Sequence, residues 1–209
     1  SDLYLALKLN DEFSKLDLAY LPYDYFYCFK DVNFKDKIVQ FIKENIQLNQ
    51  KNICQEKIES FKLGYDILYK SDFTILANRW PKNIDFKKIK NFINDFNLNK
   101  ILIFGKKPEF FHIPTLYIKS KGDLNKLAYL NKGTLTNKIN DEIKNKSEEN
   151  NLIYFNIEEL TCSNNKCEVI DDNNLLISDE DHWSFQGLKF FGKKLVINNF
   201  FQIIVKNSQ

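Results

Sequence analysis

Asp72-Phe73-Thr74-Ile75-Leu76-Ala77-Asn78-Arg79-Trp80-Pro81 is the stretch that decides the fold. From Phe73 to Ala77 it is apolar or β-branched with no polar alternation. A strand of that kind is buried on both faces, as strands are in a parallel sheet covered by helices. It then turns polar at Asn78 and Arg79. In open α/β sheets, the C-terminal ends of strands are where ligands bind. Two further runs have the same character: Lys100-Ile101-Leu102-Ile103-Phe104-Gly105, broken by Gly105 and Pro108, and Leu152-Ile153-Tyr154-Phe155-Asn156-Ile157.

Helical patterns separate and flank these runs. Residues 3–16 place Leu5, Leu9, Phe13 and Leu16 on one stripe. Residues 35–45 repeat Ile38, Phe41 and Ile42, and residues 55–68 repeat Ile58, Phe61 and Leu68. Residues 86–96 and the polar run 137–150 also read as helices. The last helix starts at Ser184 and carries Leu188, Phe191, Leu195 and Phe200. Leu18-Ala19-Tyr20-Leu21 reads as a short strand stopped by Pro22, and the aromatic run 23–29 as a loop. Residues 119–131 are charged and ambiguous. Strands alternating with helices imply an α/β fold, a mostly parallel sheet sandwiched between helices.

The chain has 209 residues, 44% hydrophobic and 28% charged, with a net charge of +2. That is the composition of a globular protein with one substantial core. Lysines are interspersed with Asp and Glu, so no basic stripe points to nucleic acid. No apolar run approaches the roughly 20 residues that span a bilayer. The chain has no methionine and opens at Ser1-Asp2, so it is read as part of a longer translation product.

One stretch carries chemistry: Ser178-Asp179-Glu180-Asp181-His182-Trp183-Ser184-Phe185-Gln186-Gly187. A carboxylate three residues before a histidine can share a turn with it. A His oriented by an Asp is the base half of a Ser-His-Asp nucleophilic system. Asp181 is a rival orienter, with poorer geometry because it adjoins His182. His112, beside Phe110-Phe111, reads as a packed loop histidine. The cysteines are Cys28, Cys54, Cys162 and Cys167. A disulfide could close the short Cys162–Cys167 loop, leaving Cys28 with Cys54, but four cysteines allow three pairings. An even count favours an oxidising compartment. The spacing is not C-x-x-C and the two histidines have no paired spacing, so no zinc site is read. No metal or organic cofactor is expected.

Taken in order, these features resemble a known family. They are a Ser before an amphipathic helix, a Cys-bearing loop, the strand ending Leu76-Ala77-Asn78-Arg79-Trp80, and Ile101-Leu102-Ile103-Phe104-Gly105 with Pro108-Glu109. Tyr154-Phe155-Asn156-Ile157 then leads into Cys162 and Cys167, and Asp179-x-x-His182-Trp183-Ser184-x-x-Gly187 closes the series. Nearly the whole chain is similar to the SGNH hydrolase-like (GDSL-type) domain fused to acyltransferase-3 membrane proteins, which O-acetylate cell-surface polysaccharides.

The resemblance implies a three-layer α/β/α sandwich with a Ser-His-Asp site at the strand C-termini. It implies one domain over residues 1–209, excised from a longer membrane acyltransferase. The family's nucleophile sits in a Gly-Asp-Ser turn before the first helix, and Ser1 occupies that place. Ser1 would attack the acyl carbonyl, His182 would act as general base and then acid, and Asp179 would orient His182. The Ser1 N–H and the Asn78 side chain would form the oxyanion hole. The family's oxyanion glycine has no counterpart between Pro22 and Cys28. Arg79 and Trp80 could grip a sugar, although a tryptophan there is more commonly core.

The implied activity is transfer or hydrolysis of an O-acyl group, with acetyl expected, on a bacterial cell-surface polysaccharide. The implied partners are that glycan and a membrane acyltransferase domain supplying the acyl group. The implied location is periplasmic, tethered to the inner membrane. The alternative from another class is a non-catalytic glycan-binding or scaffolding domain on the same fold, motivated by the incomplete first motif. In an extracytoplasmic domain, Cys28–Cys54 and Cys162–Cys167 should be bonded. Protein purified without reductant from an oxidising compartment is then expected to titrate no free thiol, and four free thiols would refute the pairing.

Overall fold

In a computed structural model, the structure describes residues 2–21, 66–78, 80–98, 100–119 and 123–208. Ser1, Arg79, Cys28 and Cys54 lie outside the described residues, as do the expected helix at 35–45 and most of that at 55–68. The chain divides into two compact units. One comprises residues 19–74 and 85–101, the other residues 1–18, 75–84 and 102–209.

In the first of these units, residues 66–70 are helical. Residues 18–21 form no strand, contrary to the sequence expectation, and Tyr20 is exposed. The helix α2 (Phe86–Asp95) starts where Asp85 accepts a hydrogen bond from the Lys87 N–H and ends beside the tilted ring pair Phe92–Phe96. That side-chain cap satisfies one of the N–H groups every helix start leaves open.

The larger unit holds the site. Its sheet is built from β1 (Thr74–Ala77), β2 (Ile101–Phe104) and β3 (Ile153–Phe155), in that order and parallel. These are the three apolar runs, trimmed at their ends. The register sets Phe104 opposite Phe155, and their rings stack at 5.6 Å. Phe200, the first residue of α8 (Phe200–Ser208), packs edge-on against both rings.

Successive residues of a strand point to opposite faces, so Tyr154 turns away from that cluster. A Cβ on Gly105 would fall 2.9 Å from the Tyr154 hydroxyl and 3.0 Å from Asn140 Oδ1. Tyr154 therefore faces α5 (Leu135–Glu149), on which Asn140 sits. Helices thus cover both faces of β3, as the sandwich expectation requires.

Between β2 and α5 lie α3 (Ile113–Lys119), with Pro114 in its first turn, and α4 (Leu124–Asn131), capped by Asp123. After β3, Asn156 caps the short α6 (Ile157–Thr161). Two hairpins follow. β4 (Cys162–Ser163) pairs with β5 (Lys166–Cys167), and β6 (Ile170–Asp171) with β7 (Asn174–Leu175). Their two-residue loops, Asn164-Asn165 and Asp172-Asn173, all have positive φ. That is the mirror-image turn that matches strand twist, and Asn and Asp tolerate it best. The disulfide Cys162–Cys167 joins directly opposed residues of the first hairpin, as expected.

The N-terminal helix α1 (Asp2–Lys8) is shorter than the sequence pattern suggests. A separate 3-10 turn (Asp11–Phe13) follows it, capped by Asn10. Its buried face is Leu3, Ala6 and Leu7, whereas Leu5 and Leu9 are exposed. The cause is its neighbour α7 (Phe185–Ile197), where a Cβ on Gly192 would lie 2.9 Å from the Ala6 carbonyl oxygen. The backbones touch, so the face with the smallest residue turns inward. The last helix is two helices, because the chain reverses at Asn199 with φ 60°.

At the start of α7, Ser184 Oγ accepts from the Gly187 N–H at 3.0 Å. The Ser184 N–H donates to Leu176 C=O at 2.9 Å. A Cβ on Gly187 would lie 1.9 Å from that same carbonyl oxygen, so only glycine fits. Gly187→Ala is expected to lower unfolding stability by roughly 1–3 kcal/mol, the usual cost of overpacking. Denaturant unfolding beside Gly133→Ala, whose added Cβ would meet nothing closer than 3.8 Å, checks this.

Candidate active site

Residues 178–182 leave the core between Ile177 and Trp183, which pair in an isolated antiparallel bridge. Both ends are buried, at 1% and 5% exposure. The Ser178 N–H donates to the His182 carbonyl at 2.9 Å and closes the excursion. So tight a loop leaves backbone N–H groups without backbone partners, and Asp179 supplies them. Its Oδ1 accepts from the N–H groups of Asp181 at 3.0 Å and His182 at 2.9 Å. Its Oδ2 lies 2.8 Å from His182 Nδ1.

Those contacts set the charge. Withdrawal of the Asp179 carboxylate from water opposes ionisation. The His182 and Asp181 N–H groups, and then the His182 ring, outweigh it and hold the pKa down to about 2. An ionised carboxylate only accepts hydrogen bonds. Nδ1 of His182 therefore carries a hydrogen, and in the neutral ring the lone pair sits on Nε2. The His182 side chain is 60% exposed. Asp181 Oδ1 is 3.4 Å from the same Nδ1, beyond a good hydrogen bond. Asp179 is the orienting carboxylate and Asp181 a second nearby charge. Asp179, Asp181 and His182 also place possible ligand atoms within 4.8 Å of one another, a cluster common on surfaces without an ion.

The loop after β2 supports this turn. The Phe110 N–H donates to the Glu180 carbonyl at 2.7 Å. The Lys107 ammonium bonds the Asp181 carbonyl and the Asp2 carboxylate, and lies 5.1 Å over the Trp183 ring. Asp2 Oδ2 also accepts from the Trp183 N–H at 3.0 Å. The loop itself is fixed from behind. Asn140, buried on α5, accepts from the Lys106 N–H at 2.7 Å and donates to the Lys106 carbonyl at 3.0 Å. Asp2, Lys107 and Phe110 were not legible as site residues in the sequence. Lys107 is one cation among 30 Lys and Arg, and nothing local marks it.

The other expected site residues are placed as follows. Asn78 is exposed and directly follows β1, at the C-terminal end of the strand. Trp80 is 6% exposed, and its indole N–H donates to the Phe104 carbonyl at 2.7 Å. Its ring is core, which corrects the sugar-stacking use allowed above. His112 is exposed, with φ 63°, and is not the packed histidine expected.

Residues 22–196 match the family described as the SGNH domain (fused to AT3 domains). The chain belongs to that family. A solved structure with the same fold is the periplasmic domain of a lipopolysaccharide acetyltransferase from Salmonella ser. Paratyphi A, with a TM-score of 0.51 and 13% identity. The match covers 68% of this chain and 63% of that one. At that identity the likeness shows the fold alone. No curated protein matches the chain. Among the described residues, no helix is long and apolar enough to cross a membrane.

Asp179 gives the SGNH domain an acid-sensitive contact. Its folded-state pKa is depressed from 3.8 to about 2. The stabilisation from its ionised form is therefore fully present above about pH 4 and is lost as pH falls through about 2. Asp179→Asn is expected to lower the melting temperature at pH 6, and the gap from the native protein should narrow steadily below pH 4. Paired melting curves across that range check it.

Proposed function

We propose that this SGNH domain transfers or hydrolyses an O-acyl group, in particular acetyl, on a bacterial cell-surface polysaccharide through an acyl-serine intermediate. The observation that carries the reading is the 2.8 Å contact of Asp179 Oδ2 with His182 Nδ1, which leaves the Nε2 lone pair on an exposed ring. Ser1 supports it by chain position. It is joined to Asp2, whose carboxylate accepts the N–H of Trp183, the residue after His182.

In this reading Ser1 Oγ attacks the acyl carbonyl while His182 Nε2 takes its proton, and ionised Asp179 stabilises the imidazolium. The Ser1 N–H and the Asn78 side chain receive the oxyanion, each such donor being worth about 3 kcal/mol. Collapse breaks the bond to the leaving oxygen, which takes the proton back from Nε2. A sugar hydroxyl or water, deprotonated by Nε2, then attacks the acyl-serine and releases Ser1, which regains the proton. Arg79, next to Asn78, is suited to hydrogen-bond the glycan.

The domain acts as one SGNH unit over residues 1–209 of a longer protein. The fusion named by the family supports a membrane acyltransferase domain as the source of the acyl group. The periplasmic origin of the solved neighbour and the Cys162–Cys167 bond support an extracytoplasmic site. No cofactor enters the reaction.

Fluorophosphonate labelling with peptide mapping tests the mechanism. Label is expected on Ser1 and is expected to vanish in His182→Ala, with kcat on a small acetyl ester falling on the order of 10⁴-fold. Label on another serine would reject Ser1 as the nucleophile. No label at all would favour a binding domain without turnover.

A further inference from the structure

Three segments far apart in the chain meet at one ion pair beside His182. Asp2 opens α1, Lys107 lies in the loop after β2, and residues 181–183 leave the catalytic turn. Asp2 Oδ2 accepts from both the Lys107 ammonium and the Trp183 N–H, and that ammonium also donates to the Asp181 carbonyl. The ammonium sits 5.1 Å from the centre of the Trp183 ring. The Lys107 and Asp2 side chains are 22% and 14% exposed. A pair that shielded escapes most of the screening that makes surface ion pairs nearly worthless. Removing one partner leaves the other charge poorly compensated.

The ordinary use of an acidic residue in the first turn of a helix is to complement the helix dipole. Asp2 does more than that, because its Oδ2 reaches across to a second segment. The two residues on either side of His182 are each held by this pair, Asp181 through its carbonyl and Trp183 through its N–H. We propose that Lys107, through Asp2, is a positioning residue that fixes the start of α1 against residues 181–183 and so holds the His182 ring in its working orientation. This rests on the function proposed above. Lys107 touches no reacting atom. It acts on the placement of the base, to which rates are steeply sensitive.

The test compares the native chain with Lys107→Met, Lys107→Arg, Asp2→Asn and the Lys107→Met/Asp2→Asn double variant. The readouts are kcat and KM on a small acetyl ester, fluorophosphonate labelling rate, melting temperature, and hydrogen exchange at the Trp183 amide. All rates are taken well below each melting temperature.

Lys107→Met is expected to lower kcat and labelling rate roughly 10- to 100-fold, as a misplacement of about 1 Å does. KM should change far less, and Trp183 amide protection should fall. Lys107→Arg should recover most of the rate, and the double variant should be no slower than the worse single one. If Lys107→Met does not fold, Asp2→Asn carries the same expectation.

Native-rate labelling in Lys107→Met, or a rate loss explained wholly by a reduced folded fraction, would overturn the proposal while leaving the acyl-serine reading intact. Independent, multiplying losses in the double variant would overturn it too. A native chain that neither labels nor turns over ester would overturn the acyl-serine reading itself, and the positioning role with it.

Discussion

The geometry of this domain depends on a small piece of backbone pairing, the antiparallel bridge of Ile177 with Trp183. Everything between those residues is exposed or half-exposed and polar. An ion pair as open to water as Asp179–His182 contributes little stability, of order 0–1 kcal/mol. It cannot hold its own shape. The shape comes from burying Leu176, Ile177 and Trp183, each worth about 2 kcal/mol of transfer free energy. Trp183 stacks on Phe191 of α7 with centroids 4.6 Å apart. With both ends of the excursion fixed in the core, one turn remains, and Asp179 satisfies its N–H groups.

That anchoring ties the turn to helix geometry. Ser184 starts α7 by hydrogen-bonding Leu175 and Leu176 carbonyls and the Gly187 N–H. Gly187 exists because the backbone of Leu176, just after β7, passes where a Cβ would be. One turn and a half further along, Gly192 repeats the device against the Ala6 backbone of α1. Two glycines of one helix thus hold both the Asp179–His182 turn and the helix α1. The pattern Ser184-x-x-Gly187 is therefore a seat for that turn as much as a helix start.

What the sequence made legible follows from which forces are local. Continuous apolar runs marked the three parallel strands found among the described residues, since double-sided burial leaves no other pattern. The Asp179–His182 contact was legible because four consecutive residues decide it. The buried face of α1 was misread because Ala6 carries little hydrophobic signal, while the intimate approach to Gly192 gives it the closest contact. Leu18-Ala19-Tyr20-Leu21 forms no strand, because so short a run carries too weak a local preference to resist its packing context. The two hairpins went unread, although Asn164-Asn165 and Asp172-Asn173 are residue pairs that accept positive φ. Their flanking runs were too short to read as strands. Lys107 and Asp2 are separated by 105 positions, and only the folded chain brings them together.

The loop after β2 shows why a site can be rigid without being apolar. β2 leaves the sheet after Gly105, whose N–H still donates to the Phe155 carbonyl at 2.9 Å, and Lys106 must satisfy its backbone groups elsewhere. The Asn140 amide meets the N–H and the carbonyl of Lys106 together, doing for one residue what a neighbouring strand does for several. Lys132 and Glu158, paired at 2.6 Å, extend that buried cluster, and Asn140 also donates to Glu158. Networks of this kind are costly when one member is missing and stiff when all are matched. On the opposite face of the sheet, Phe104, Phe155 and Phe200 fill the space with rings alone. Asn140 thus grips the loop through the backbone of Lys106. From that fixed point Lys107 and Phe110 reach the Asp181 and Glu180 carbonyls, so the exposed turn is held through a buried polar contact on another helix.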